Sequence, residues 1–237
     1  MPMSGKRRAG TADPAVRRWP AQGETRAVAL VLHGGAERST AAVHPWRLAY
    51  QRMVPFARAL HRAGHPHGLE VRLLRNRVYG WNERLESPLQ DSRWALARIR
   101  AEHPGLPIVL AGHSMGGRVG LRVADDPAVT GVCAMAPWTP PGEPVEPVAG
   151  KAVLIVHGDR DRMVSAAESY AFAVRAREVT DRVARFEIAG EGHSMIRRPA
   201  VWTRLLCSFA LDQLGVPDEA LREAWARSAD EALRIPG

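Results

Sequence analysis

Residues 112–117 read Gly-His-Ser-Met-Gly-Gly, and the apolar run Pro107-Ile108-Val109-Leu110-Ala111 leads directly into them. A serine framed by glycines in this way suits a sharp strand-to-helix turn that presents Ser114 Oγ at the carboxyl edge of a sheet. The glycines have a steric role there, because a strained nucleophile brings the residues two positions away against neighbouring backbone. Met115 opens the following helix, so its N–H faces the same space as the hydroxyl and can donate to a developing oxyanion. A serine at this position also has a structural use, as a cap for the helix that begins at Met115.

A serine hydroxyl is a poor nucleophile near neutral pH. To react it needs an imidazole that takes its proton and later returns one to the leaving group, and a carboxylate that holds the imidazole in the right tautomer. Those groups must converge on the same sheet edge, so the elements that could carry them come next. The continuous apolar run over 27–32, rich in branched residues, predicts a buried parallel strand, and further strands are expected over 69–74, 107–111, 129–135, 152–156 and 183–189. Helical spacing of apolar residues predicts helices over 45–63, 88–103, 115–125, 165–179 and 199–214, with a last helix over 217–234. Residues 1–25 form an N-terminal segment, partly disordered or contributing an edge strand around Val16 to Trp19, and 26–237 read as one domain. Strands alternating with helices imply an α/β fold, a mostly parallel sheet with helices on both faces.

In such a sheet ligands bind beyond the carboxyl ends of the strands. Those positions hold His33-Gly34-Gly35, Ser114, Pro137-Trp138, Asp159 to Asp161, and His193. His193 has rivals in His33, His113 and His157, each beside a strand end. Asp159 competes with Asp161; spacing favours Asp161, with Asp159 holding the loop together. Trp138 could floor an acyl pocket, and Trp81, in the segment Tyr79-Gly80-Trp81-Asn82, has a similar claim. Arg75 and Arg77 could meet an anionic substrate or simply face solvent.

In the order serine, acid, histidine, the chain resembles the α/β-hydrolases over residues 26–215. Residues 156–164, Val-His-Gly-Asp-Arg-Asp-Arg-Met-Val, resemble the family's H-G-x-x-D-x-x-V stretch, whose second aspartate carries the triad acid; here that is Asp161. Gly190-Glu191-Gly192-His193 resembles its histidine loop, and His33-Gly34-Gly35 the loop that supplies a second oxyanion donor, at Gly35. The resemblance implies a Ser114, Asp161 and His193 triad, with the N–H groups of Gly35 and Met115 as oxyanion hole. It also implies hydrolysis of a carboxylic ester or thioester. Peptidase or acyltransferase chemistry on the same triad, and a catalytically silent module that binds a ligand or protein, are the alternatives. Many relatives carry a helical cap where residues 136–151 stand. Here that interval is short and holds five prolines, so no inserted cap domain is expected.

The 237 residues carry a formal charge of +8 and 46% hydrophobic residues, enough for a full core. Such a charge raises nucleic acid or acidic membranes as partners. Only Lys6 and Lys151 are lysines, however, and the arginines are scattered over helix faces such as Arg58, Arg62, Arg98 and Arg175. A solvated surface and no nucleic-acid partner are expected. Cys133 and Cys207 read as buried free thiols in a reducing, cytoplasmic setting. No run reaches the length of a membrane span, and no metal-ligand cluster, phosphate loop or cofactor fingerprint is present, so no cofactor is expected.

Overall fold

The computed structural model describes residues 13–227 and 229–237. Eight strands form one sheet in the order β1-β3-β2-β4-β5-β6-β7-β8. They are β1 (Ala15–Trp19), β2 (Ala27–Leu32), β3 (Leu69–Arg75), β4 (Ile108–His113), β5 (Val129–Met135), β6 (Ala152–Gly158), β7 (Val183–Ile188) and β8 (Ile235–Pro236). Only β1 runs antiparallel, along β3, with Val16 opposite Leu74. The disorder expected within the first dozen residues lies outside the described residues.

The helices are α1 (Leu48–Gly64), α2 (Ser87–Glu102), α3 (Met115–Arg122), α4 (Ala166–Ala176), α5 (Pro199–Asp212), α6 (Glu219–Ala226) and α7 (Ala229–Ala232). Successive residues of a strand face opposite sides of the sheet, so each fully buried strand must feed two cores. On β2, Ala27, Ala29 and Val31 join the core that includes Met53 of α1, Trp202 of α5 and Leu221 of α6. Val28, Leu30 and Leu32 join the core that includes Leu96 of α2, Val119 of α3 and Phe172 of α4. The sheet is therefore covered on both faces. No helix among the described residues is long and apolar enough to cross a membrane.

The expected single C-terminal helix over 217–234 is broken. After α6 the backbone turns extended at Arg227, and β8 ends the chain beside β7, with Ile235 opposite Phe186. The physical reason is that Leu221 and Ala224 pack on one face of the sheet while Leu233 packs on the other. The chain must cross the sheet edge, which a straight helix cannot do.

Several arginines are not solvated. Arg72 and Glu70, both on β3, are buried and paired at 2.6 Å, and Arg72 also reaches Glu102 at 2.8 Å. Arg185, on β7 and almost fully buried, is paired with Glu187 at 2.8 Å and also donates to Ala166 O and Leu233 O. Cys133 is buried and Cys207 half-buried, both as free thiols.

Removing the Glu70 carboxylate leaves the buried Arg72 with Glu102 alone, and a buried charge that loses a partner is costly. Glu70→Gln should cost about 3 kcal/mol in urea unfolding, and the double change Glu70→Leu with Arg72→Met should recover most of it. A single variant as stable as the parent would show that the pair does not compensate buried charge.

Candidate active site

The strand order reverses at β2, whose neighbours are β3 on one side and β4 on the other. A crevice opens at such a switch point, beyond the carboxyl ends of the two strands that diverge there. Gly35 follows β2 and Ser114 follows β4, so the topology puts both at this crevice.

Ser114 has φ 56° and ψ −121°, a strained conformation for a residue with a side chain. Its backbone is held from three directions. Ser114 N–H donates to Met135 O at 2.9 Å, and Ser114 O accepts from Arg118 N at 3.2 Å and from Trp138 N at 3.3 Å. The glycines are required by space: a Cβ on Gly112 would stand 2.1 Å from Gly116 O, and one on Gly116 would stand 2.5 Å from Leu32 O. The hydroxyl makes no capping bond to α3. As the first residue of α3, Met115 has an N–H without an intrahelical acceptor. Gly35 packs against this residue, for its Cβ would fall 2.7 Å from Met115 Sδ and 2.3 Å from Tyr79 O.

The acid and the histidine arrive from β6 and β7. Asp161, whose side chain has no exposed surface, accepts from His193 Nδ1–H at 2.7 Å through Oδ2. Its Oδ1 accepts from the N–H groups of Met163 (2.9 Å) and Val164 (3.0 Å). Burial pushes the Asp161 carboxyl up. Hydrogen bonds from His157, His193 and Val164 N, with the nearby His193 charge, outweigh that and hold it well below the usual carboxylate range. The group is therefore ionised throughout the neutral and mildly acidic range. Asp159 points elsewhere and takes Gly190 N–H at 2.7 Å, tying the acid loop to the histidine loop.

Each rival histidine is occupied. His33 Nδ1 donates to Gly34 O at 2.7 Å while its Nε2 accepts from Asn76 N at 3.1 Å, which requires the neutral ring. His113 Nε2 donates to His193 O at 3.0 Å, so the residue before Ser114 holds the backbone of the loop that carries His193. His157 Nε2 lies 3.3 Å from Val164 O and 3.4 Å from Asp161 Oδ2, a second imidazole on the acid. Arg75 donates to Val43 O and Arg77 to Asp91, so both support loops of the site.

Glu191 is the residue that sequence reasoning passed over. It is buried, its Oε1 accepts from Gly192 N at 2.9 Å, and its Oε2 accepts from the N–H groups of Arg197, Arg198 and Trp202 Nε1 at 3.1, 2.7 and 3.3 Å. One carboxylate thus closes the loop on either side of His193. A glutamate between two glycines gives no local sign that it turns inward.

Ser114, His193, Gly35, Met115, Tyr79 and Trp138 share one open cleft of about 390 Å³, together with Met163 and Glu37. Trp81 needs correction as a substrate-binding candidate: it is buried and does not line this cleft. Instead the Arg118 guanidinium sits 4.0 Å from the Trp81 ring and 4.4 Å from the Trp138 ring, and pairs with the buried Glu143 at 2.7 Å. Arg122 reaches the other oxygen of Glu143 at 2.8 Å. This network fixes residues 136–151, which contain a single 3-10 turn at Glu146–Val148 and no cap domain. Among the described residues no group of histidine, cysteine and carboxylate side chains could hold a metal ion.

A mostly parallel doubly covered sheet with a strained serine elbow at its switch point defines the class of α/β-hydrolase folds. Residues 82–200 match the alpha/beta hydrolase domain family, and the chain belongs to it. No curated protein matches the sequence at a significant level. Three solved structures show the fold. An alpha-beta serine hydrolase homologue from Coxiella burnetii is 21% identical at a TM-score of 0.63, over 82% of this chain and 90% of that one. A serine hydrolase without lid from Xanthomonas campestris is 18% identical at 0.61, over 84% and 88%. Est1E from Butyrivibrio proteoclasticus, with ferulic acid bound, is 17% identical at 0.62, over 85% and 96%.

Two measurements follow from this geometry. Glu191→Gln replaces an acceptor oxygen by a donor amide among four N–H groups and should cost about 3 kcal/mol in urea unfolding; an unchanged midpoint would mean that the carboxylate does not hold the loop. Burial lowers His33 to a pKa of about 4 and His113 to about 3. Both stay neutral when folded and charge on unfolding, so their contribution is fully present above the unfolded value near 6.5 and is lost as pH falls below it. At pH 5 each should cost roughly 2 kcal/mol relative to neutral pH. Unfolding curves at pH 7 and 5 that coincide would contradict the buried neutral assignments.

Proposed function

We propose that the protein is a serine hydrolase that cleaves a carboxylic ester or thioester through an acyl-enzyme. The observation that carries this reading is the 2.7 Å bond between the buried Asp161 carboxylate and His193 Nδ1, on a histidine that lines the same cleft as Ser114. With Nδ1–H committed to Asp161, Nε2 is the unprotonated nitrogen and can act as base.

Ser114 Oγ attacks the acyl carbon while His193 Nε2 takes its proton. The tetrahedral oxyanion forms hydrogen bonds with the N–H groups of Gly35 and Met115, each worth about 3 kcal/mol in the transition state. Collapse expels the alcohol or thiol, which leaves with the proton from His193. Water then attacks the acyl-serine by the same route, releasing the acid and restoring the hydroxyl. Trp138 and Tyr79 serve as acyl-pocket walls, with Trp138 fixed to the elbow by its own N–H. An open cleft without a cap suits substrates that arrive from solvent or from a surface.

A fluorophosphonate probe should label the folded protein and not Ser114→Ala. No labelling of the parent, or labelling that survives in Ser114→Ala, would refute the assignment. Asp161→Asn should lower kcat on an aryl ester by about 10⁴-fold, because the imidazole is then held in the wrong tautomer. Asp159→Asn should cost about tenfold or less, since it removes only a loop contact; the reverse order would exchange the two aspartates.

A further inference from the structure

Six large hydrophobic side chains of the described residues are conspicuously exposed: Trp46, Leu48, Leu85, Met163, Val174 and Ile196. Five of them stand at one edge of the sheet. Trp46 and Leu48 lie where the β2 loop enters α1, Leu85 follows β3, Met163 follows β6 and Ile196 follows β7. All five therefore sit at the carboxyl ends of the strands, the edge that also carries Ser114, and each is between 60% and 77% exposed. The sixth, Val174, is on the outside of α4.

Each of these five side chains is next to an arginine in sequence. The pattern reads Trp46-Arg47-Leu48, Arg84-Leu85, Arg162-Met163 and Ile196-Arg197-Arg198. The same loops expose six arginines, Arg38, Arg84, Arg160, Arg162, Arg197 and Arg198, against three exposed carboxylates, Glu37, Glu83 and Asp159. Scattered in sequence, the charge is gathered at the sheet edge that also carries Ser114.

We infer that this edge docks on an anionic lipid surface and presents the cleft to acyl esters held there. The chemistry fits a bilayer interface. Isolated apolar tips enter the boundary between headgroups and acyl chains, Trp being the side chain most suited to that depth, while neighbouring guanidinium groups meet the phosphates. Anionic lipid adds long-range attraction for the excess arginines. Met163 is both an exposed tip and a wall of the cleft, so the docked surface and the site are continuous. The inference rests on the hydrolase reading for what the docked protein does, and the test separates the two.

The test is co-sedimentation with vesicles of phosphatidylglycerol and phosphatidylcholine, compared with phosphatidylcholine alone, and hydrolysis of a water-soluble aryl ester in parallel. The parent should bind the anionic vesicles, and added salt should weaken that binding. Trp46→Ser with Ile196→Ser, and separately Arg38→Gln with Arg84→Gln, should each weaken binding about tenfold or more. Val174→Ser should bind as the parent does. None of these changes touches the triad, so soluble-ester turnover should stay at the parental rate. The proposal is overturned if the parent ignores both vesicles, if the Trp46 and Ile196 changes leave binding intact, or if the parent forms a dimer in solution that those changes dissolve. Vesicle binding by a parent that hydrolyses no ester would leave the docking standing and remove the hydrolase reading.

Discussion

A carboxylate with no exposed surface keeps its charge only if its oxygens are fully engaged, and this condition at Asp161 organises much of the molecule. Its oxygens accept from His193 Nδ1, Met163 N and Val164 N, with His157 close by. To meet it, β6 and β7 must be parallel neighbours that end together, so that the loops after Gly158 and Ile188 face each other. Backbone contact between them is close: a Cβ on Gly158 would stand 2.4 Å from Glu191 O. The Asp161–His193 hydrogen bond joins the two loops side chain to side chain. Its proposed value lies in fixing which nitrogen of His193 carries a proton.

The second constraint is the strain at Ser114, on the order of 1–3 kcal/mol for a side-chain-bearing residue at positive φ. It persists because neighbours leave no alternative. Three backbone hydrogen bonds hold the turn, two glycines allow α3 to approach β2 and β4, and the Arg118–Glu143 pair anchors the loop that carries Trp138. Arg118 is thus a buried cation shared between two indole rings and a carboxylate, four positions beyond the serine. The space a cap would occupy is left to a stiff loop whose acid is consumed internally.

Much of this was legible in the sequence because the signals were local. Apolar runs marked β2, β4 and β6, runs interrupted by single polar or charged residues marked β3, β5 and β7, and the glycine spacing around Ser114 marked the elbow. The order of serine, acid and histidine at successive strand ends points to the cleft that Ser114 and His193 share, with Asp161 bonded to His193. What escaped was long-range. Glu191 gathers donors from residues 192–202, and Trp81 turns toward Arg118 on α3 and away from the cleft. The C-terminal helix breaks because its two ends serve different faces of the sheet. No periodicity within a segment encodes which distant group a polar side chain will meet. The grouping of arginines at one edge was hidden for the same reason, since loops far apart in sequence meet only once the sheet is built.

The central claim is that Ser114 carries the acyl group during turnover. Rapid mixing with a nitrophenyl ester, acid quench and peptide mass mapping tests it directly. The account predicts a burst of nitrophenol followed by a slower steady rate, with the acyl mass on the peptide containing Ser114. Linear release with no acylated peptide, or an acyl group on another residue, would contradict it.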